Sequence, residues 1–304
     1  MGDFFIPKCY YTHMVKRLFP ITILLIFVLI IVGVWKVYSD YKTAQRERLT
    51  QLQQKAEEVQ VTIIEGWTTE QIAAKLASSG MFSEEEFLDA VKKFNLGSYA
   101  LVMDKPSGTG LEGYLFPDTY RFAKGATPED VITKMLSNFT NRMRSINVLE
   151  SELTYTIPGY ESLEVSGGDH RPGMSLYDIL TLASIVEAES GSSSNMSLAE
   201  ERALIAGVFY NRMLIGQGLE SDATVNYITG KNDPGVSIKD TEINSPYNTY
   251  RYAGLPPGPI GNPSLGSIQA VMRPTKSEFY YFLHKQPSGE VQFSKTFAEH
   301  IQKK

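Results

Sequence analysis

Residues Leu18 to Trp35 read LFPITILLIFVLIIVGVW, 18 positions without a charged side chain. A hydrocarbon core of ~30 Å takes roughly 20 apolar helical residues at ~1.5 Å each, so the run fits a membrane-spanning helix. It is apolar on every face, which disfavours a helix buried in an ordinary soluble core. It is also longer than a usual signal h-region, and Val34-Trp35-Lys36-Val37-Tyr38 has no small-x-small cleavage site. Lys8, Lys16 and Arg17 precede it, so the positive-inside rule makes residues 1–17 a cytoplasmic tail. Everything from Lys36 onward is then expected outside a cell (inner or plasma) membrane that the chain crosses once.

Composition narrows the chemistry of the outer part. Of the net charge of −5 over 304 residues, the tail carries +2 (Lys8, Lys16, Arg17 against Asp3), leaving −7 on the remainder. An acidic body lacks the basic footprint of a nucleic-acid binder. The one cysteine, Cys9, falls in the tail and excludes both a disulfide framework and a multi-thiolate zinc site. His13, His170, His284 and His300 are scattered without a His-Glu-x-x-His helix, so no metal ligand set is expected. There is no Gly-x-Ser-x-Gly elbow and no Gly-Lys-Ser/Thr phosphate loop, and no cofactor is expected.

The pattern of elements predicts an α+β protein behind the transmembrane helix. Residues 36–58 are polar, without Gly or Pro, and read as a helical stalk or linker. Val59 to Ile64 alternates as a strand; Thr68 with Gln71 and Ser83 with Glu86 are capping boxes opening two helices. Glu112 to Phe122 reads as two short strands meeting at Pro117, and Thr127-Pro128 opens a further helix. Residues 59–148 thus form a small α/β module with its connecting region. Residues 149–174, rich in Gly, Ser and Pro, read as a flexible loop with a soft domain boundary. Residues 175–304 form a mixed α/β domain. Its helices start at Ser175, Ser197 and Asn262-Pro263, and it closes with a hairpin (Phe279 to Leu283, Glu290 to Phe293) and a terminal helix.

One carboxylate stands out in the second domain. At 100° per residue Glu187 lies over Ala183, Leu180 and Leu176, the apolar side of its helix, and in the last turn. Burial and the negative helix end both raise the pKa of such a carboxyl toward that of a general acid. Glu189 is about 200° further round, nearer Asp178, Ile185 and Val186. On helix geometry alone, a frayed end with both glutamates in solvent fits equally well.

The surrounding string, Leu182-Ala183-Ser184-Ile185-Val186-Glu187-Ala188-Glu189-Ser190, resembles the helix carrying the catalytic glutamate in endolytic murein transglycosylases of the MltG (YceG-like) family. The resemblance continues through Glu201-Arg202, Ala206 to Arg212, Leu219 to Asp222, Thr224-Val225, Ser245 to Tyr250 and Gly254 to Ile260, with Glu112 to Tyr120 upstream. It covers roughly residues 59–300, and Val61 to Leu76 resembles the family's LysM-like glycan-binding subdomain. Two departures stand out. Ala223 occupies the usual proline position of an Asp-Pro-Thr-Val turn, and the segment from Leu149 to Met174 is long and polar.

The resemblance implies a lytic transglycosylase that cuts the MurNAc–GlcNAc β-1,4 bond of nascent glycan and leaves 1,6-anhydro-MurNAc ends. Glu187 is the expected acid and then base. One carboxyl suffices, whereas hydrolases generally use two. Glu220 and Asp222 are the candidates for a second carboxylate if the enzyme is instead a hydrolytic muramidase. Expected substrate contacts are Glu189, Asn211, Arg212, Asp222, Thr224, Tyr227, Tyr247, Asn248, Thr249 and Tyr250. Asn211 and Arg212 equally suit a helix C-terminus, and the tyrosines equally suit half-buried packing. Implied partners are peptidoglycan strands, the cytoplasmic membrane and peptidoglycan synthase complexes. A non-catalytic anchored glycan-binding scaffold is the rival reading.

Overall fold

The computed structural model describes residues 27–49, 58–97, 99–102, 105–148, 154–163, 173–191, 193–231 and 235–304. The chain forms two compact units, Met1–Glu58 and Val59–Lys304. Of the first, helix α1 (residues 27–49) is described, and nearly all its side chains are exposed. Among the described residues no helix is long and apolar enough to cross a membrane. Half of the expected span, residues 18–26, lies outside the described residues, as do the tail with Cys9 and residues 50–57 of the expected stalk.

The second unit begins with β1 (Glu58–Thr62), which pairs with β2 (Thr119–Ala123). Between them lie α2 (Thr69–Ser78), α3 (Glu84–Lys93) and a short 3₁₀ turn at Ala100–Val102. Both capping boxes form as read: Thr68 exchanges hydrogen bonds with Gln71, and Ser83 with Glu86. Leu111 to Phe116 is a turn rather than the expected strand. Tyr114 N donates to Leu111 O, and Gly113 sits at φ +87°, outside the extended region of a regular strand.

Helix α4 (Pro128–Ser145) starts at Pro128 behind the Thr127–Asp130 box. Across the long loop Tyr155 and Met174 make a β-bridge; residues 164–172 lie outside the described ones. Then come α5 (Leu176–Glu189), α6 (Leu198–Leu214), α7 (Asp222–Thr229), α8 (Ile238–Thr241) and α9 (Leu265–Met272). The hairpin β3 (Tyr281–Lys285) and β4 (Glu290–Ser294) pairs antiparallel with Phe282 opposite Phe293, and α10 (Phe297–Lys303) closes the chain.

Helix α5 is the axis of the unit. Every residue from Leu176 to Val186 except Asp178 is buried, against α6 and α9. One hydrophobic cluster runs from Val61 and Ile72 through Phe139 to Leu180, Phe209 and Val271, so residues on both sides of the 151–174 segment share a core. Asn262 does not cap α9; Ser264 does. The Asn262 side chain is spent on a junction, accepting from Leu115 N and donating to Trp67 O and Glu112.

Candidate active site

The two glutamates at the end of α5 meet different surroundings. Glu187 Oε1 accepts from Arg202 Nη2 at 2.6 Å, and Oε2 from the Ser264 amide and hydroxyl at 2.9 and 2.5 Å. Both ionic side chains are nearly buried, at 8% and 10% exposure. Arg202 Nε also donates to Ser190 Oγ, and Glu65 lies 3.6 Å from its Nη2. This corrects the expected apolar setting. Arg202 lies in the core-facing register of α6 with Ile205, Ala206 and Phe209, and a buried cation there requires an anion. A cleft of about 560 Å³, lined in part by Glu65, Asp118, Arg142, Arg202 and Ser264, reaches Glu187's partners and not its carboxylate.

Glu189 has no ion pair among the described residues. Its Oε1 accepts from Ser221 Oγ at 2.5 Å. Burial pushes its pKa up, and the charge of Asp222 adds to this; the Ser221 hydroxyl, the Ala223 amide and His284 pull the other way. Beyond Ser221 stands Asp222, which accepts from the Tyr250 hydroxyl at 2.5 Å. Tyr250 is 40% exposed, and burial and Asp222 hold its phenol well above the ordinary range. Glu189, Asp222 and Tyr250 are therefore brought together.

Tyr227 on α7 packs against Tyr247, ring centroids 5.0 Å apart, both half-buried. Burial pushes the Tyr247 phenol up to about 12 and Tyr227 higher still, with Glu112 contributing to both. Glu112 itself, half-buried beside the start of α2, accepts from Thr69 N and Asn262 Nδ2. Burial is the main cause that raises its pKa to about 8.

The other expected contacts are turned inward. Asn211 donates to the Ser277 and Phe279 carbonyls and accepts from Tyr160. Arg212 donates to Tyr280 O and Leu219 O and lies over the Tyr281 ring. Asn248 donates to Thr241 O and Ile243 O. Thr224 and Thr249 bond each other at 2.9 Å and are fully buried. Buried polar groups with their bonds satisfied inside the fold hold structure rather than ligand. Asn211 and Arg212 tie α6 to the chain entering β3; Asn248, Thr249 and Thr224 fix the loops beside α7. Of the rival carboxylates, Glu220 pairs with Arg212 at 3.6 Å.

Sequence reading missed Ser221, Ser264 and the clamps around them. The signal was present for Arg202 and Glu201, charges in the buried register of α6. Glu201 is wholly buried and accepts from Gly191 N, Ser193 N and His284, so it fixes the chain just past Glu189. Among the described residues no three His, Cys, Asp or Glu side chains converge to hold a metal ion.

An α+β unit whose central helix ends in a desolvated carboxyl, flanked by a carboxylate and tyrosines, has the make-up of an acid–base site. The chain matches the YceG-like family over residues 31–304 and belongs to it. It is 36% identical over 251 residues to the endolytic murein transglycosylase of Bacillus subtilis, covering 79% of this chain and 63% of that protein. It is 33% identical over 261 residues to the Streptococcus pneumoniae protein of the same name, covering 79% and 43%. The chain thus spans less than two thirds of these relatives' lengths. Its fold matches the crystal structure of a yceG-like protein from Listeria monocytogenes with TM-score 0.63 and 30% identity, over 81% of this chain and 76% of that one.

Proposed function

We propose that the chain is a membrane-anchored endolytic murein transglycosylase in which Glu189, not Glu187, is the acid and then the base. The observation that carries the assignment is the contrast at the end of α5. Glu187 accepts three bonds from Arg202 and Ser264 and is held in an ion pair, while Glu189 has no ion pair among the described residues and burial raises its pKa. A general acid must hold a proton near working pH, which the burial of Glu189 favours.

In the first half, protonated Glu189 gives its proton to the glycosidic oxygen as the bond to the MurNAc anomeric carbon breaks. In the second, the resulting carboxylate takes the proton of the MurNAc 6-hydroxyl while that oxygen bonds to the same carbon. The ring closes as 1,6-anhydro-MurNAc, no water is consumed, and Glu189 ends as it began. Tyr227, Tyr247 and Tyr250 supply aromatic faces for sugar rings. Asp222 keeps Tyr250 oriented and its negative charge favours the protonated state of Glu189 between turnovers.

Leu18 to Trp35 anchors the enzyme with its N-terminus in the cytoplasm, and the outer unit works on new strands near the membrane, beside synthase complexes. The segment from Val61 to Leu76 acts as a LysM-like glycan contact. Protease protection of the tail in sealed spheroplasts, with digestion of residues beyond 58, tests this topology; the reverse pattern overturns it. For the chemistry, Glu189→Gln in the full chain abolishes release of anhydro ends from purified glycan strands, and retained activity refutes the assignment.

A further inference from the structure

Helix α7 starts without a cap of its own. Ser221 is its N-cap residue, yet its side chain makes no capping bond and donates instead to Glu189 Oε1. The Ser221 hydroxyl at the start of α7 is thus committed to a carboxyl on another helix.

The loop holding Ser221 is fixed on every side. The Ser221 amide donates to Thr249 Oγ1 at 3.1 Å, and its carbonyl accepts from Thr224 Oγ1 at 2.7 Å. Since the Thr224 proton is spent there, Thr249 donates across the 2.9 Å link between the two hydroxyls, closing a ring of hydrogen bonds. Glu220, just before, sits at φ +49° with its amide on Thr249 O, an unfavourable left-handed conformation that the surrounding bonds impose. Arg212 holds the preceding Leu219 carbonyl.

We propose that Ser221 is a positioning residue for the acid–base carboxyl: its hydroxyl holds Glu189 Oε1 beside the start of α7 and assigns different work to the two oxygens. This rests on the reading of Glu189 given above. With the Ser221 hydroxyl donating to Oε1, Oε1 is the carbonyl oxygen of the neutral acid and Oε2 carries the proton to be delivered. Once the proton has left, the hydroxyl and the positive end of α7 stabilise the carboxylate that must act as base. Asp222 on α7, Tyr250 from the loop between α8 and α9, His284 on β3 and Arg212 on α6 are the other titratable or charged groups facing the carboxyl.

The test is the pH profile of kcat and kcat/KM on purified glycan strands, using the full chain. A general acid is lost as pH rises through its pKa, so that pKa sets the alkaline limb. Ser221→Ala removes a donor to the anion, and moves this limb to higher pH by about half a unit to one unit. It also lowers kcat at neutral pH about tenfold or more with KM little changed, since Ser221 does not touch the sugar. Ser221→Thr restores both. Superimposable profiles and kcat within twofold for Ser221→Ala overturn the positioning role while leaving Glu189 as the acid. Activity in Glu189→Gln overturns the reading beneath it.

Discussion

The hydroxyl of Ser221 donates to Glu189 at 2.5 Å, as that of Ser264 does to Glu187, but Glu187 alone also carries an ion pair, to Arg202 at 2.6 Å. On the proposed reading, two carboxyl groups two residues apart have opposite assignments, one electrostatic brace and one proton carrier. Neighbouring segments, not the helix itself, decide which is which.

The Glu187–Arg202 pair is predicted to be structural. Removing one member of a nearly buried pair strands the other, which costs on the order of 3–5 kcal/mol. Glu187→Ala and Arg202→Ala each lower unfolding stability on that scale in urea titrations. The double variant is less destabilised than the sum of the two. Additive losses contradict the brace.

Glu112 gives the fold a pH dependence of definite sign. Its folded pKa, about 8, lies above the ordinary carboxyl value, so its contribution is complete below the unfolded pKa and is lost as pH rises through the folded one. Stability falls between about pH 4.5 and 8, with this group contributing a slope approaching ~1.4 kcal/mol per pH unit. Glu112→Gln, which mimics the protonated acid, flattens the fall. Chemical denaturation at pH 5 and pH 8 measures it, and an unchanged slope in the variant contradicts the burial argument.

Gly218 is required by a close approach. A Cβ there would stand 2.6 Å from the Thr249 carbonyl oxygen. Gly218→Ala therefore pushes the loop that carries Ser221 away from Thr249. Turnover drops about tenfold or more, with a smaller relative change in KM. A variant with wild-type kcat contradicts the need for the clamp.

Much of the fold was legible because its signals are local. The capping boxes at Thr68, Ser83, Thr127, Ser175 and Ser197 all form, each opening a helix at the expected residue. The predominantly apolar stretch of α5 correctly marked an interior helix. Signals that depend on distant partners failed. Asn262 has the sequence of a cap before Pro263, but contacts at Trp67, Glu112 and Leu115, more than a hundred residues away, claim its side chain. Helical angles placed Glu187 and Glu189 on different sides of α5. They carry no information about Arg202 arriving from α6 or Ser221 from the loop before α7. Thr224, Asn248 and Thr249 lie in strings resembling the family, yet their side chains serve the loop and not the exterior.

Mass spectrometry of the glycan ends released by the full chain and its two glutamate variants tests the central claim most directly. Wild-type protein yields 1,6-anhydro-MurNAc ends and no new reducing MurNAc ends. Glu187→Gln retains that product per folded molecule, and Glu189→Gln yields none. Reducing ends from the wild type, or anhydro ends from Glu189→Gln at the wild-type rate, contradict it.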